Sequence, residues 1–279
     1  MPSPPGARLF LEQDMTETAV ESIAAGSAAV YSARCPDKET PNEDAAALIP
    51  IDSDSGVLVV ADGVGGFRAG EQASKVAVRA VQSAMTRAAE DGLPMRDGIL
   101  NGIEEANRKV TDLGLGAATT LAIAEIQNHV VRPYHVGDSL ILITGGRGKV
   151  KLQTVSHSPV GFAVESGLLD ESDAMHHEDR YLVSNLIGTA DMRIEIGSTQ
   201  TLAPRDTLLM ASDGLFDNLH TEEIVDRLRQ GRIDEAARLM ASEAVQRMTQ
   251  PRGGQPSNPD DITFVVYRPR QVGELVVNQ

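Results

Sequence analysis

The chain is poor in several things at once: one cysteine, no tryptophan, four tyrosines and five phenylalanines in 279 residues. With Cys35 alone, no internal disulfide can form, so the fold cannot depend on an oxidising compartment. Hydrophobic residues make up 41% of the chain, enough for a real core. No run approaches the roughly 18 consecutive apolar residues of a membrane span. The opening Met1-Pro2-Ser3-Pro4-Pro5-Gly6 lacks the basic stretch and apolar block of an export signal, and Glu12 and Asp14 follow, acids that transit peptides avoid. Positive charge is scarce too. Against 40 Asp and Glu stand 25 Lys and Arg, a net charge of -15, whereas nucleic-acid backbones are held by clustered cations. These absences point to a cytoplasmic chain with neither a membrane nor a nucleic-acid partner.

What is present is a series of short apolar runs rich in β-branched residues, punctuated by Gly, Asp, Asn and Pro. Residues 1–25 show no stable periodicity and read as a loose arm. Strands are expected over 28–34, 45–51, 57–61, 119–126, 130–136, 140–144, 150–155, 193–196, 207–211 and 262–267. Helical stripes begin at Ala73, ending at Gly92, and at about Met95, ending at Gly114. A later helix starts with Thr221 as N-cap, followed by Glu222 and Glu223, where the helix dipole favours acids. Its partner carries Ala237, Met240, Ala241, Ala244, Val245 and Met248 on one face. Helices clustered between groups of strands point to an α+β architecture rather than a doubly wound parallel sheet.

Aspartates recur where strands meet turns. Val57–Ala61 runs into Asp62-Gly63-Val64-Gly65-Gly66, Leu208–Ser212 into Asp213-Gly214, and Asp260-Asp261 leads into Ile262–Val266, while Glu43-Asp44 opens the run at Ala45. One Asp-Gly after a strand is commonly only a turn. Four acidic strand ends together would repel unless cations lay between them, and an all-oxygen donor set suits Mg2+ or Mn2+ better than zinc. The glycines would allow a metal or phosphate to approach the backbone, with a carbonyl as ligand. His176-His177 reads as an exposed loop, His135 as a core residue, Cys35 as a small buried residue, and Gly145–Gly148 as a hairpin turn.

At this point the chain resembles the metal-dependent protein phosphatases, the type 2C serine/threonine phosphatases. The resemblance spans about Asn42 to Arg268. It rests on Asn42-Glu43-Asp44, Asp62-Gly63-Val64-Gly65-Gly66, Gly116-Ala117-Ala118-Thr119-Thr120, Val136-Gly137-Asp138-Ser139, Ala211-Ser212-Asp213-Gly214-Leu215-Phe216-Asp217-Asn218 and Asp260-Asp261-Ile262-Thr263, in the family's order. It implies two stacked antiparallel β-sheets flanked by helices on both sides, a four-layer αββα sandwich. The catalytic domain would run over 26–270, followed by a C-terminal tail over 271–279. It also implies two Mn2+ or Mg2+ ions, or three. Asp62 would bridge two of them, Asp213 and Asp260 would complete one, and Glu43 with the Gly63 carbonyl would hold the other, with Asp44 close by. Asp261 would support, and Asp138 and Ser139 would steady the ligand loops. A hydroxide between the cations would attack phosphorus directly, with no phosphoenzyme. The implied partner is a phosphorylated protein made by an opposing Ser/Thr kinase, acted on by a monomer.

Two departures stand out. Many family members have His where this chain has Val64, and valine transfers no proton. The family's phosphate-binding arginine, a few residues before Glu43, has no direct match: Arg34 lies farther back and is favoured for its bidentate geometry, with Lys38 and Arg68 as the other candidates. Two other functions stay open on the sequence: a phosphatase of small phosphorylated metabolites, and a phosphatase-like binding module. The acidic stretch from Pro159 to Arg180 reads as a flap or a solvated loop that would set substrate choice.

Overall fold

A computed structural model describes residues 6–64, 69–114 and 116–270. Gly65, Gly66 and Arg68 fall outside this range, as does the expected tail over 271–279. In chain order the elements are β1 (Arg8–Leu11), β2 (Ala19–Ile23), β3 (Gly26–Ala33), β4 (Ala45–Pro50), β5 (Ser55–Ala61), β6 (Gly63–Val64), α1 (Ala69–Glu90) and α2 (Met95–Leu113). There follow β7 (Ala118–Thr119), β8 (Leu121–Gln127), β9 (Val130–Val136), β10 (Leu140–Thr144), β11 (Val150–Gln153), α3 (Pro159–Glu165) and α4 (Glu171–Ala174). The chain continues through β12 (Glu195–Ile196), β13 (Gln200–Thr201), β14 (Thr207–Ala211), α5 (Asp213–Phe216), α6 (Thr221–Leu228), α7 (Ile233–Thr249) and β15 (Ile262–Pro269).

Two antiparallel sheets hold most of the strands. One has the order β1-β4-β5-β8-β9-β12, with β13 also on β9, and the other the order β11-β10-β14-β15-β3-β2. Side-chain alternation along each strand feeds two cores at once. In β4, Ala45, Ala47 and Ile49 pack under α1 and α2, while Ala46 and Leu48 face the second sheet. In β15, Val265 and Tyr267 turn to the inter-sheet core, and Phe264 and Val266 turn to α6 and α7. Three buried layers result: helices on sheet, sheet on sheet, sheet on helices. This is the expected αββα sandwich. Because both faces of the central strands are covered, their sequences read as unbroken apolar runs. The shortage of aromatic residues is met by alanine: α1 presents Ala73, Ala77, Ala80, Ala84 and Ala88, all buried, so helix and sheet pack closely.

Three expectations need correcting. Residues 8–11 and 19–23 are not a loose arm but strands, pairing with β4 and β3. The α6 N-cap is His220, not Thr221; the His220 backbone N–H donates to Glu223 Oε2 at 2.9 Å, which leaves Thr221 in the first turn. The acidic stretch after β11 is not a plain solvated loop, since it carries two short helices. Ser158 caps α3 through its side chain, which accepts from Gly161 N, and α4 follows.

Antiparallel pairing brings every acidic motif to one end of the sandwich. Neighbouring strands run in opposite directions, so the end of one lies beside the start of the next. The start of β4 sits beside the end of β5, Ala45 opposite Ala61, which places Glu43 and Asp44 next to Asp62. In the other sheet, Leu140 opposes Ala211, Ala211 opposes Phe264, and Ile262 opposes Ala33. Asp138, Asp213, Asp260 and Asp261, and the segment from Arg34 to Lys38 therefore share the same edge.

Candidate metal centre and active site

Asp62 leaves β5 at this edge, and its backbone is held on both sides. Its N–H donates to Thr120 Oγ1 at 3.0 Å. Its carbonyl accepts from Thr120 N at 2.8 Å and from Thr119 Oγ1 at 2.7 Å. Thr120 Oγ1 also shares a hydrogen bond with Ser139 Oγ, 2.7 Å away. Thr119, Thr120 and Ser139 are all buried. The Val136–Ser139 motif thus steadies the Asp62 loop through Ser139.

The next turn depends on a glycine crossing. The Gly63 N–H donates to the Glu43 carbonyl at 3.2 Å. A Cβ on Gly63 would run into the Gly70 carbonyl, and one on Gly70 would stand 2.6 Å from the Gly63 carbonyl oxygen and 2.8 Å from Glu43 Oε1. Only two glycines allow this approach, which carries the start of α1 across the Asp62 loop and against Glu43. Gly214 is a further fixed point, since a Cβ there would overlap the Asp261 carbonyl.

Asp44 is buried, and its Oδ2 accepts from Ser212 Oγ at 2.8 Å. Asn42 Oδ1 accepts from Asp44 N at 2.8 Å, while Asn42 Nδ2 donates to Ser32 Oγ at 3.1 Å. Ser32 pairs with Thr263 Oγ1 at 2.7 Å, and Thr263 N donates to Ser212 Oγ at 3.0 Å. This closed ring of polar residues ties both sheets together beneath the site.

Asp261 accepts three hydrogen bonds. Its Oδ1 accepts from Cys35 N at 2.7 Å, and its Oδ2 accepts from Glu43 N at 2.7 Å and Lys38 Nζ at 2.6 Å. It can hold the loop in place but has little left to offer a cation. Lys38 also donates to Glu43 Oε2 at 2.9 Å. Burial works against the Lys38 charge, but the bonds to Asp261 and Glu43 outweigh it and hold the ammonium above its ordinary range. Arg34 turns elsewhere: its Nε donates to Asp14 Oδ2 at 3.1 Å, an exposed pair. Lys38, rather than Arg34, is the cation the fold brings into the carboxylate cluster.

The remaining acids crowd one another. Burial raises the Asp62 carboxyl well above its usual range, and the charges of Asp44, Asp260 and Asp138 add to this. Burial does the same at Asp213, reinforced by Asp62 and Asp260. Burial also pushes Asp138 and Asp260 up to about 6. Two charged carboxylates cannot hydrogen-bond to each other, so Asp62 and Asp213 cannot relieve one another while both are ionised. Asp213 Oδ1 is buried with no partner. A buried, orphaned carboxylate oxygen among several more is a costly arrangement that hard divalent cations would resolve. The donor set therefore fits Mg2+ or Mn2+.

The sequence points to Glu43, Asp44, Asp62, Gly63, Asp213 and Asp260, and antiparallel pairing sets the strand ends that carry them along one edge of the sandwich. The sequence did not single out Gly70, Thr120 or Ser212. The Gly-Ala-Ala-Thr-Thr motif was the only signal for Thr120, and nothing local marks Gly70. Among the described residues, the one trio of His, Cys, Asp or Glu side chains whose ligand atoms already converge is His135, His157 and Glu195. His157 Nδ1 accepts from Gly137 N at 3.0 Å, which puts its proton on Nε2, where it donates to Glu195 Oε2 at 3.1 Å. With no lone pair free on His157 in this arrangement, the trio is a hydrogen-bonded buttress behind the Gly137 turn, with His135 stacked on His157. His135 is a core residue, as expected.

Comparison with known proteins agrees with this geometry. The family description Protein phosphatase 2C matches residues 33–250. A protein phosphatase 2C-type protein of Streptococcus pyogenes is 32% identical over 177 residues, 61% of this chain and 71% of its own length. The serine/threonine phosphatase of S. agalactiae superposes with a TM-score of 0.72 at 28% identity, covering 86% of this chain and 98% of that one. The catalytic domain of the serine/threonine phosphatase PstP, solved with two manganese ions, shares the fold at 23% identity and a TM-score of 0.66, covering 88% of this chain and 98% of that one. The chain belongs to the protein phosphatase 2C family, the metal-dependent serine/threonine phosphatases.

Proposed function

We propose that Asp62, Asp213, Asp260, Glu43 and the Gly63 carbonyl hold two Mn2+ or Mg2+ ions, and that the protein uses them to hydrolyse phosphoserine and phosphothreonine in other proteins. The observation that carries this is the orphaned Asp213 Oδ1, buried close to the Asp62 and Asp260 charges, in a cluster where Lys38 pairs only with Glu43 and Asp261. Such cations, when bound, supply a water of lowered pKa and offset charge on the phosphoryl oxygens. Asp44 acts behind them, fixed by Ser212. Thr120 and Ser139 keep the Asp62 loop in register. Lys38, already among the acids, is the residue placed to meet a phosphoryl oxygen, with Asp261 as its anchor.

The chain's own residues favour direct hydrolysis over a covalent route. Burial first, then the charges of Asp260 and Asp261, raise the Cys35 thiol, so it makes a poor nucleophile at neutral pH. Val64 pairs with Ala118 in the short β6–β7 ladder and offers no proton, so the departing alkoxide takes one from solvent. Intact ligands also speak against a binding module that has lost catalysis. One chain supplies the whole site, which fits a monomer. The acidic charge, the single cysteine and, among the described residues, the lack of any helix long and apolar enough to cross a membrane fit a cytoplasmic enzyme opposing a protein kinase.

Phosphate release from a phosphothreonine peptide tests this. Turnover is expected with Mn2+ and absent with excess chelator, and returns on adding Mn2+ back. Equal turnover in chelator would overturn the proposal.

A further inference from the structure

A cavity of about 370 Å³ opens directly from the carboxylate centre. Asp138 and Asp213 form the wall it shares with the site. The lining also includes Val160 and Val164 of α3 with Met175 and Phe216, and two exposed acids, Glu165 and Glu171. Its size lies in the range of small-ligand pockets, ample for a long side chain and well beyond what a phosphoryl group needs.

Its charge is one-sided. The lining holds Asp138, Glu165, Glu171, Asp213 and Asp217 against Arg180 alone. Arg180 Nε lies 3.8 Å from Asp217 Oδ2 and has no hydrogen-bond partner, so one cation stands in the lining against five carboxyl groups. With Asp213 assigned to a cation, the lining stays acidic. Glu171 Oε1 accepts from Thr221 Oγ1, and Glu165 is exposed with no ion pair, so both keep oxygens for a ligand. A lining that combines apolar side chains with carboxylates matches a side chain with a hydrocarbon stem and a cationic head. An acidic or phosphorylated side chain would meet repulsion there.

We propose that this cavity is a specificity subsite for an arginine or lysine close to the phosphorylated residue of the substrate protein. The assignment rests on the phosphatase reading above. When the phosphoryl group sits among the carboxylates, the neighbouring residues of the peptide, about 3.8 Å apart along the chain, are within reach of the cavity mouth. The stem lies on Val160, Val164 and Phe216, and the head reaches Glu165 and Glu171. Beside the cavity, the same segment exposes Phe162, Leu168, Tyr181 and Leu182, with Leu168 84% exposed, and offers the peptide further apolar contact.

The test compares phosphothreonine peptides that differ only at the two residues on each side of the phosphothreonine, carrying Arg, Lys, Ala or Glu. Wild-type kcat/KM is expected to favour Arg or Lys over Glu by roughly fivefold or more, as two partly solvated ion pairs allow. In the double variant Glu165→Gln/Glu171→Gln that ratio should fall toward one. Being a ratio within one enzyme, it is insensitive to any general loss of activity. In Val164→Phe, which fills the cavity, the advantage of Arg and Lys over Ala should shrink as well. Equal kcat/KM on all peptides, or a preference that survives the loss of both glutamates, would overturn the subsite. Hydrolysis of p-nitrophenyl phosphate, too small to reach the cavity, separates the two readings: if the wild type fails on it with Mn2+, the phosphatase reading fails instead.

Discussion

Lys38 and Arg34 are four residues apart, yet the fold gives them different work. The Lys38 ammonium sits on Glu43 and Asp261 inside the cluster, and the Arg34 guanidinium pairs with Asp14 outside it. Lys38→Ala should therefore raise KM for a phosphopeptide by roughly tenfold or more, the worth of a charged hydrogen bond, while Arg34→Ala leaves KM near wild type. Steady-state kinetics on both variants decides this, and the opposite ranking would return the phosphate to Arg34. The proposed carboxylate ligands are legible in the sequence because each lies between an apolar strand and a turn residue. Lys38 is legible only as one of three candidate cations, because what positions it is Asp261, 223 residues away. The arginine preference drawn from its bidentate geometry lost to the path of the loop after β3.

At the scale of elements, the site depends on α1 starting where it does. Gly70 lets the first turn of α1 pass over the Gly63 carbonyl and Glu43. Gly70→Ala puts a methyl against backbone that cannot move aside, so it should cost about 1–3 kcal/mol of stability and weaken Mn2+ binding. Thermal unfolding and metal titration of the variant check both, and a wild-type profile in both would contradict the crossing. The strands and long helices followed from pattern because both faces of the central strands are buried and α1 and α2 carry full stripes. β2 hid because it is an edge strand with a mixed sequence, Ala-Val-Glu-Ser-Ile. At seven residues α3 is too short for periodicity to show, and its start is marked only by Ser158 before Pro159. The helical ends of the acidic flap were invisible for the same reason.

At the scale of the whole molecule, a buried cluster of acids makes stability depend on metal and pH together. In the metal-free protein Asp138 and Asp260 titrate at about 6, against 3.8 for the free side chain, and Asp44, Asp62 and Asp213 shift the same way. A raised folded pKa means the folded state holds its protons more tightly. That contribution to stability is full below 3.8 and is lost as pH rises through about 6. Metal-free protein should thus melt at a lower temperature at about pH 7.5 than at about pH 5, and Mn2+ should restore more at the higher pH, because binding releases protons. Melting curves in chelator and in Mn2+ at both pH values test it; a metal-free melting temperature that rises with pH across this window would contradict it.

The most direct test of the two-cation centre is to count Mn2+ ions per chain by equilibrium dialysis in wild type and Asp62→Asn, with phosphopeptide turnover measured on the same samples. The expected result is two ions and full turnover for wild type, and fewer than two ions with turnover down by about 10²-fold or more for the variant. Two ions and unchanged turnover in Asp62→Asn would contradict the account.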